Sequence, residues 1–138
     1  GSHHVTAIYL VLDADSRTIS FANAGHPALL ICRKTSTAYF ETENLFLGLE
    51  QDLRPGTDSI QLEPGDRVFA YTDACTEARS PAGDFFDDQR FLELVQSTRH
   101  LKLEAQLDVV VSAIQTFRAS PFLHDDLTII GIEMIEPA

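Results

Sequence analysis

The stretch Arg67-Val68-Phe69-Ala70-Tyr71-Thr72-Asp73-Ala74-Cys75-Thr76-Glu77-Ala78 constrains the fold more than any other part of the chain. Residues 68–72 form an apolar run bounded upstream by the turn Glu63-Pro64-Gly65-Asp66, which reads as a buried strand. The run leads straight into a carboxylate, Asp73. A hairpin of small residues is expected next, and a second carboxylate, Glu77, stands four positions on. A rigid strand fixes the position of a carboxylate at its end, and oxygen donors suit a hard cation such as Mg²⁺ or Mn²⁺. Asp is also common in turns because it hydrogen-bonds the local backbone. Taken alone, the stretch fits that capping role better.

The rest of the chain sets the class. Residues 5–12 are almost continuously apolar and predict a buried strand. After the turn Asp13-Ala14-Asp15-Ser16-Arg17, residues 18–23 alternate and predict its antiparallel partner. Ala24-Gly25-His26-Pro27 breaks that strand, residues 28–32 give a third, and Ala38-Tyr39-Phe40 a short edge strand. Residues 41–58, with the apolar knot Leu45-Phe46-Leu47-Gly48-Leu49, predict a packed loop over one end of the sheet. Ile60 and Leu62 mark another strand before the Pro64-Gly65 turn. A helix starts at Asp87-Asp88 with Phe91, Leu94 and Val95 on its apolar face, the acids placed favourably at its N-terminus. A second helix spans about residues 103–118, with Leu107, Val110, Val111, Ile114 and Phe117 on one face at helical spacing, and Pro121 ends it. Residues 126–135 close the chain with an apolar strand. Short turns make the sheet antiparallel, so the class is α+β with helices on a sheet face.

Length and charge narrow the function. The 138 residues fit one domain with a sufficient core. A net charge of −11 opposes binding to nucleic acid or to an anionic membrane. No apolar stretch approaches the roughly 20 residues that cross a bilayer. Cys32 and Cys75 lie far apart and read as free thiols in a reducing cytoplasm. Gly1-Ser2-His3-His4 looks like a tag remnant, and the strand pattern starting at Val5 suggests a piece of a longer protein.

The chemistry candidates are carboxylates. Asp73 follows one apolar strand, and Asp125-Asp126 precedes another. Antiparallel neighbours would bring those ends together, and converging carboxylates repel unless a cation neutralises them. Separate turn acids would look the same in sequence, and the residues alone leave both readings open. By spacing, Glu77 is a surface acid that could face the same cluster. His26 reads as a corner residue, at most supporting the site from behind. Cys75 lacks the His/Asn partners of a nucleophile. Neither a Gly-rich phosphate loop nor a GxSxG or HExxH motif occurs.

Six segments in order carry a resemblance: Val5-Thr6-Ala7, Ala22-Asn23-Ala24-Gly25-His26-Pro27, Pro64-Gly65-Asp66, Tyr71-Thr72-Asp73-Ala74, Thr76-Glu77-Ala78 and Asp125-Asp126-Leu127-Thr128. Together they resemble the C-terminal part of the bacterial stage II sporulation protein E phosphatases, which are type 2C-like, metal-dependent serine/threonine phosphatases. The resemblance implies an antiparallel sandwich flanked by helices, incomplete at its N-terminus, over residues 5–136. It implies hydrolysis of phosphoserine or phosphothreonine on a protein, with two Mn²⁺ or Mg²⁺ ions. It makes Asp73 and Asp125 metal ligands, Asp126 a supporting acid, and Glu77 the acid of a third, weaker metal. It puts His26 where relatives carry another acid. The implied partner is a phosphorylated regulator of the anti-sigma-factor antagonist type, in cytoplasmic signalling.

Two departures qualify that resemblance. Ala74 stands where the family has Gly, which matters if the position needs φ > 0. The family's N-terminal Asp-Gly and Gly-His-Gly stretches are not in this sequence, so this segment alone is expected to be weak or inactive. It is also expected to present open sheet edges that favour a homodimer or strand exchange. The competing class is a non-catalytic binding module of a partner-switching pathway, favoured by Ala74 and by the truncated start.

Overall fold

A computed structural model describes residues 5–42, 45, 47, 56–119 and 126–136. The expected packed loop and the Pro121 stop fall largely or wholly outside the described residues. In chain order the strands are β1 (Ala7–Asp13), β2 (Thr18–Ala24), β3 (Leu29–Cys32), β4 (Thr37–Phe40), β5 (Thr57–Gln61) and β6 (Arg67–Tyr71). Two helices follow, α1 (Asp87–Ser97) and α2 (Leu103–Arg118), and then β7 (Ile129–Glu133). The strands make two antiparallel sheets, ordered β1-β2-β5 and β4-β3-β6-β7. The α+β class is as the residues imply, and the sandwich as the family resemblance implies.

Alternation along the strands explains the layers. Successive side chains point to opposite faces of a sheet. On β3 and β6, Leu29, Ile31, Val68 and Ala70 face inward and meet Ile19, Phe21 and Ile60 of the other sheet in one core. Their neighbours Leu30, Cys32, Phe69 and Tyr71 face the helices in a second core with Phe91, Val95, Val110 and Ile114. Tyr71 packs on Phe91 at 4.5 Å between ring centroids, and Phe86 on Phe117 at 5.2 Å. Gly131 on β7 lets α2 close in: a Cβ there would lie 2.8 Å from a Leu103 methyl.

One polar cluster ties the helix layer to the sheet. Arg67, 6% exposed, donates from Nε to Glu133 at 3.0 Å and from Nη1 to Gln106 Oε1 at 2.7 Å and the Arg99 carbonyl at 3.0 Å. The amide of Gln106, wholly buried on α2, donates to the Val95 carbonyl at 2.8 Å. The apolar stripe expected on α2 is present, but it shares its face with this glutamine.

The sequence expectation for β1 needs correction. Ile8 and Leu10 pack on the inner core, but Tyr9 is 71% and Val11 47% exposed. An apolar run signals burial on both faces only when both are covered. Among the described residues nothing covers the outer face of the β1-β2-β5 sheet, and β1 is its edge strand. On the other sheet β7 is an edge strand too, with Ile130 exposed. Among the described residues no strand pairs with the outer side of β1 or of β7.

These placements predict a contrast. Arg67→Ala should cost about 3 kcal/mol or more, because it leaves buried partners unpaired. Tyr9→Ser should change stability by no more than about 0.5 kcal/mol in either direction. Urea unfolding of the two variants checks both, and a large loss at Tyr9 would contradict the exposed edge.

Candidate functional site

The site begins where β6 ends. This strand lies between β3 and β7 and is buried along its whole length. Thr72 continues the pairing by donating its N–H to the Thr128 carbonyl at 3.0 Å. Its side chain adds two bonds: Oγ1 accepts the Thr128 N–H at 3.0 Å and donates to the Asp126 carbonyl at 3.1 Å. The C-terminal end of β6 and the segment leading into β7 therefore meet, as antiparallel pairing requires.

The chain then turns through a short 3₁₀ helix, Asp73–Cys75, where a hairpin of small residues was expected. The reason is visible in the carbonyls. The Thr72 carbonyl accepts the Cys75 N–H at 3.0 Å, and the Asp73 carbonyl accepts the N–H groups of Thr76 at 3.0 Å and Glu77 at 2.8 Å. Successive i→i+3 bonds wind the chain instead of sending it back alongside β6. Ala74, Cys75 and Ala78 go under and are buried, Cys75 and Ala78 in the helix-side core, while Asp73 and Glu77 stay exposed. Small residues are needed because the turn lies directly on the core. Ala74 lies outside the left-handed region, so the methyl in place of the family's Gly creates no backbone strain. That removes one of the features that favoured a non-catalytic module.

A second turn faces the first. Asn23, 3% exposed at the end of β2, accepts the His26 N–H through Oδ1 at 2.8 Å and donates from Nδ2 to the His26 carbonyl at 3.0 Å. Gly25 between them has φ of 68°, a conformation glycine adopts without penalty. The clamp holds His26 and Pro27 against a cavity of about 450 Å³ that Thr6, Thr72, Asp73 and Glu77 also line. A smaller neighbouring cavity of about 240 Å³ is lined by Asp73 and Glu77 again, with Tyr39, Glu41 and Asp88.

Of the four acids expected to hold metal, two thus share a cavity, Asp73 and Glu77. Asp126 is exposed beside the Thr72 bonds, tied in through its backbone. Asp125 lies outside the described residues. Among the described residues no three His, Cys, Asp or Glu side chains gather as a ready metal cluster. His26 borders the cavity, in keeping with its reading as a corner residue. Sequence reasoning passed over Thr72 and Asn23. The Asn-x-x-His spacing in a Gly-containing break was the available signal for the Asn23 clamp. Thr72 gave none.

The chain can now be compared with known proteins. The Stage II sporulation protein E (SpoIIE) family matches residues 1–135. The chain belongs to this family. Protein IcfG of Synechocystis sp. is 27% identical over 128 residues, covering 92% of the SpoIIE-family chain and 20% of IcfG. Phosphoserine phosphatase RsbU of Bacillus subtilis is 30% identical over 132 residues, covering 94% of the chain and 38% of RsbU. The SiaA-PP2C domain of Pseudomonas aeruginosa superimposes with a TM-score of 0.83 at 19% identity, over 94% of the chain and 52% of that structure. The chain thus spans only a fifth to about half of the length of these relatives. The structural likeness shows a PP2C-type fold, as the motif order implied. Among the described residues no helix is long and apolar enough to cross a membrane.

Cys75 is fully buried under the site. Burial, then the charge of Asp73, pushes its thiol up to about 12. Tyr39 and Tyr71 are also raised, chiefly by burial. Folding therefore favours the protonated thiol. Its contribution is complete below about 9, the ordinary thiol value, and is lost as pH rises toward 12. With EDTA present, stability should fall above pH 9, and neither buried cysteine should react with a thiol reagent at pH 8 before unfolding. Thiol titration of native and urea-unfolded protein checks this, and rapid native labelling would contradict it.

Proposed function

We propose that this chain supplies part of the active site of a metal-dependent phosphoprotein phosphatase acting on phosphoserine or phosphothreonine. The observation that carries the reading is the convergence of Asp73 and Glu77 on one cavity at the end of a fully buried strand. Membership of the SpoIIE family supports it, and RsbU, a relative, is named a phosphoserine phosphatase.

The donor set fits a hard divalent cation. Asp73 and Glu77 offer only oxygen, and their shared backbone turn fixes them relative to each other. Asp73 would hold the cation, Glu77 would contribute from the next turn, and by motif match Asp125 would complete the ligands with Asp126 in support. When bound, Mn²⁺ or Mg²⁺ supplies Lewis acidity toward water and toward the phosphoryl oxygens. The protein's own part is placement. The buried β6 end holds Asp73 still, the 3₁₀ turn sets Glu77 beside it, and the Asn23 clamp fixes the opposite wall at His26 and Pro27. A cavity of about 450 Å³ is ample for a phosphorylated side chain, and its partial closure limits the water around it. The net charge of −11 favours a substrate presented with basic or neutral surroundings, and a phosphorylated regulator of the anti-sigma-factor antagonist type is the proposed partner.

In the full-length protein, Asp73→Asn should lower phosphatase kcat/KM toward a phosphoserine protein by on the order of 100-fold or more, since even groups that only support metal ligands cost 10–100-fold. Circular dichroism of the variant should be unchanged. Full activity in Asp73→Asn would overturn the assignment.

A further inference from the structure

Thr72 uses every polar group it has. Its N–H goes to the Thr128 carbonyl and its carbonyl to the Cys75 N–H, both at 3.0 Å. Its hydroxyl accepts from the Thr128 N–H at 3.0 Å and donates to the Asp126 carbonyl at 3.1 Å. Continuing the β6–β7 ladder needs only the backbone groups. The two hydroxyl bonds are additional. They reach past the last paired residues, Tyr71 and Ile129, to the segment that precedes β7. They do so one residue before Asp73, on the wall of the cavity that Asp73 and Glu77 share.

We propose that Thr72 is a positioning residue: its hydroxyl sets the segment at Asp126 relative to Asp73, and so sets the affinity of the site for a divalent cation. The inference rests on the metal-dependent reading above. Before Ile129 the β6–β7 register ends, and among the described residues the Thr72 N–H bond to the Thr128 carbonyl is the backbone contact that continues it. The hydroxyl fastens the backbone of that segment to the end of β6 through two short bonds, beside a longer contact from the Cys75 thiol to the Thr128 carbonyl at 3.9 Å. A single oxygen that both accepts and donates fixes a direction as well as a distance, because both bonds must stay aligned to survive. Valine has the same branched shape and keeps the strand geometry, but it can make neither bond. Serine keeps the oxygen and loses only a methyl group. Residue 72 thus separates shape from hydrogen bonding.

The effect should appear in cation binding before any turnover. Groups that orient ligands without touching the metal commonly change affinity by about 10–100-fold. Mn²⁺ titration by calorimetry on the full-length protein would compare wild type, Thr72→Val, Thr72→Ser, Asp73→Asn and Ile114→Val. The last variant trims a buried α2 side chain and controls for a modest loss of stability. The expected pattern is saturable binding in wild type that Asp73→Asn abolishes. Thr72→Val should weaken it about 10-fold, while Thr72→Ser and Ile114→Val stay within about 2-fold. Thr72→Val binding as tightly as wild type would overturn the positioning role and leave the metal reading intact. Equal weakening in Thr72→Val and Ile114→Val would also overturn it, reducing Thr72 to a stabilising strand clamp. Absence of Mn²⁺ binding in wild type would overturn both the metal reading and this role.

Discussion

Strand β6 is where both cores of the protein meet. Val68 and Ala70 seal the space between the sheets, while Phe69 and Tyr71 seal the space under the helices. A strand buried on both faces and paired on both edges has little freedom to move. Its last residues inherit that rigidity, and the site starts there. Arg67 anchors the opposite end through Glu133, Gln106 and the Arg99 carbonyl, so β6 is held at its beginning as well as by its sides. The placement of Asp73 follows from that burial more than from any contact of Asp73 itself.

The same economy shapes the turn after β6. Two exposed carboxylates four residues apart could face anywhere on a flexible loop. Here Ala74, Cys75 and Ala78 are buried, and the Asp73 carbonyl gathers two N–H donors. The buried side of the turn dictates what its exposed side presents. Asn23 does the equivalent on the facing wall, where one buried amide satisfies both backbone groups of His26. An unpaired buried amide is costly, so the clamp holds Asn23 and the turn together. In the proposed reading, a cation entering between the two acids would offset their like charge.

Much of this was legible in the sequence, for identifiable reasons. The strands from β2 to β6 and both helices follow from periodicity and from breakers such as Pro64-Gly65 and Ala24-Gly25-His26-Pro27. The meeting of Asp73 with the segment at Asp126 follows from antiparallel pairing of their strands. The exposure of Tyr9 and Val11 did not, because an apolar run reads alike whether one face of its strand is covered or two. Gln106 was hidden inside a helical stripe, where a long polar residue reads as surface until its partner Arg67 is placed beside it. The 3₁₀ turn at Asp73 was hidden because small residues serve a hairpin and a tight helix equally well. Thr72 was hidden because a strand-end threonine has a sufficient explanation in β-propensity alone.

Asp73 is proposed as a cation ligand held in place by β6. The most direct measurement is a crystal structure of the full-length protein grown with Mn²⁺, with anomalous scattering used to locate the ion. An anomalous peak is expected in the cavity shared by Asp73 and Glu77, at bonding distance from the Asp73 carboxylate. Mn²⁺ found only elsewhere on the protein, with Asp73 bound to solvent or to a side chain, would contradict it.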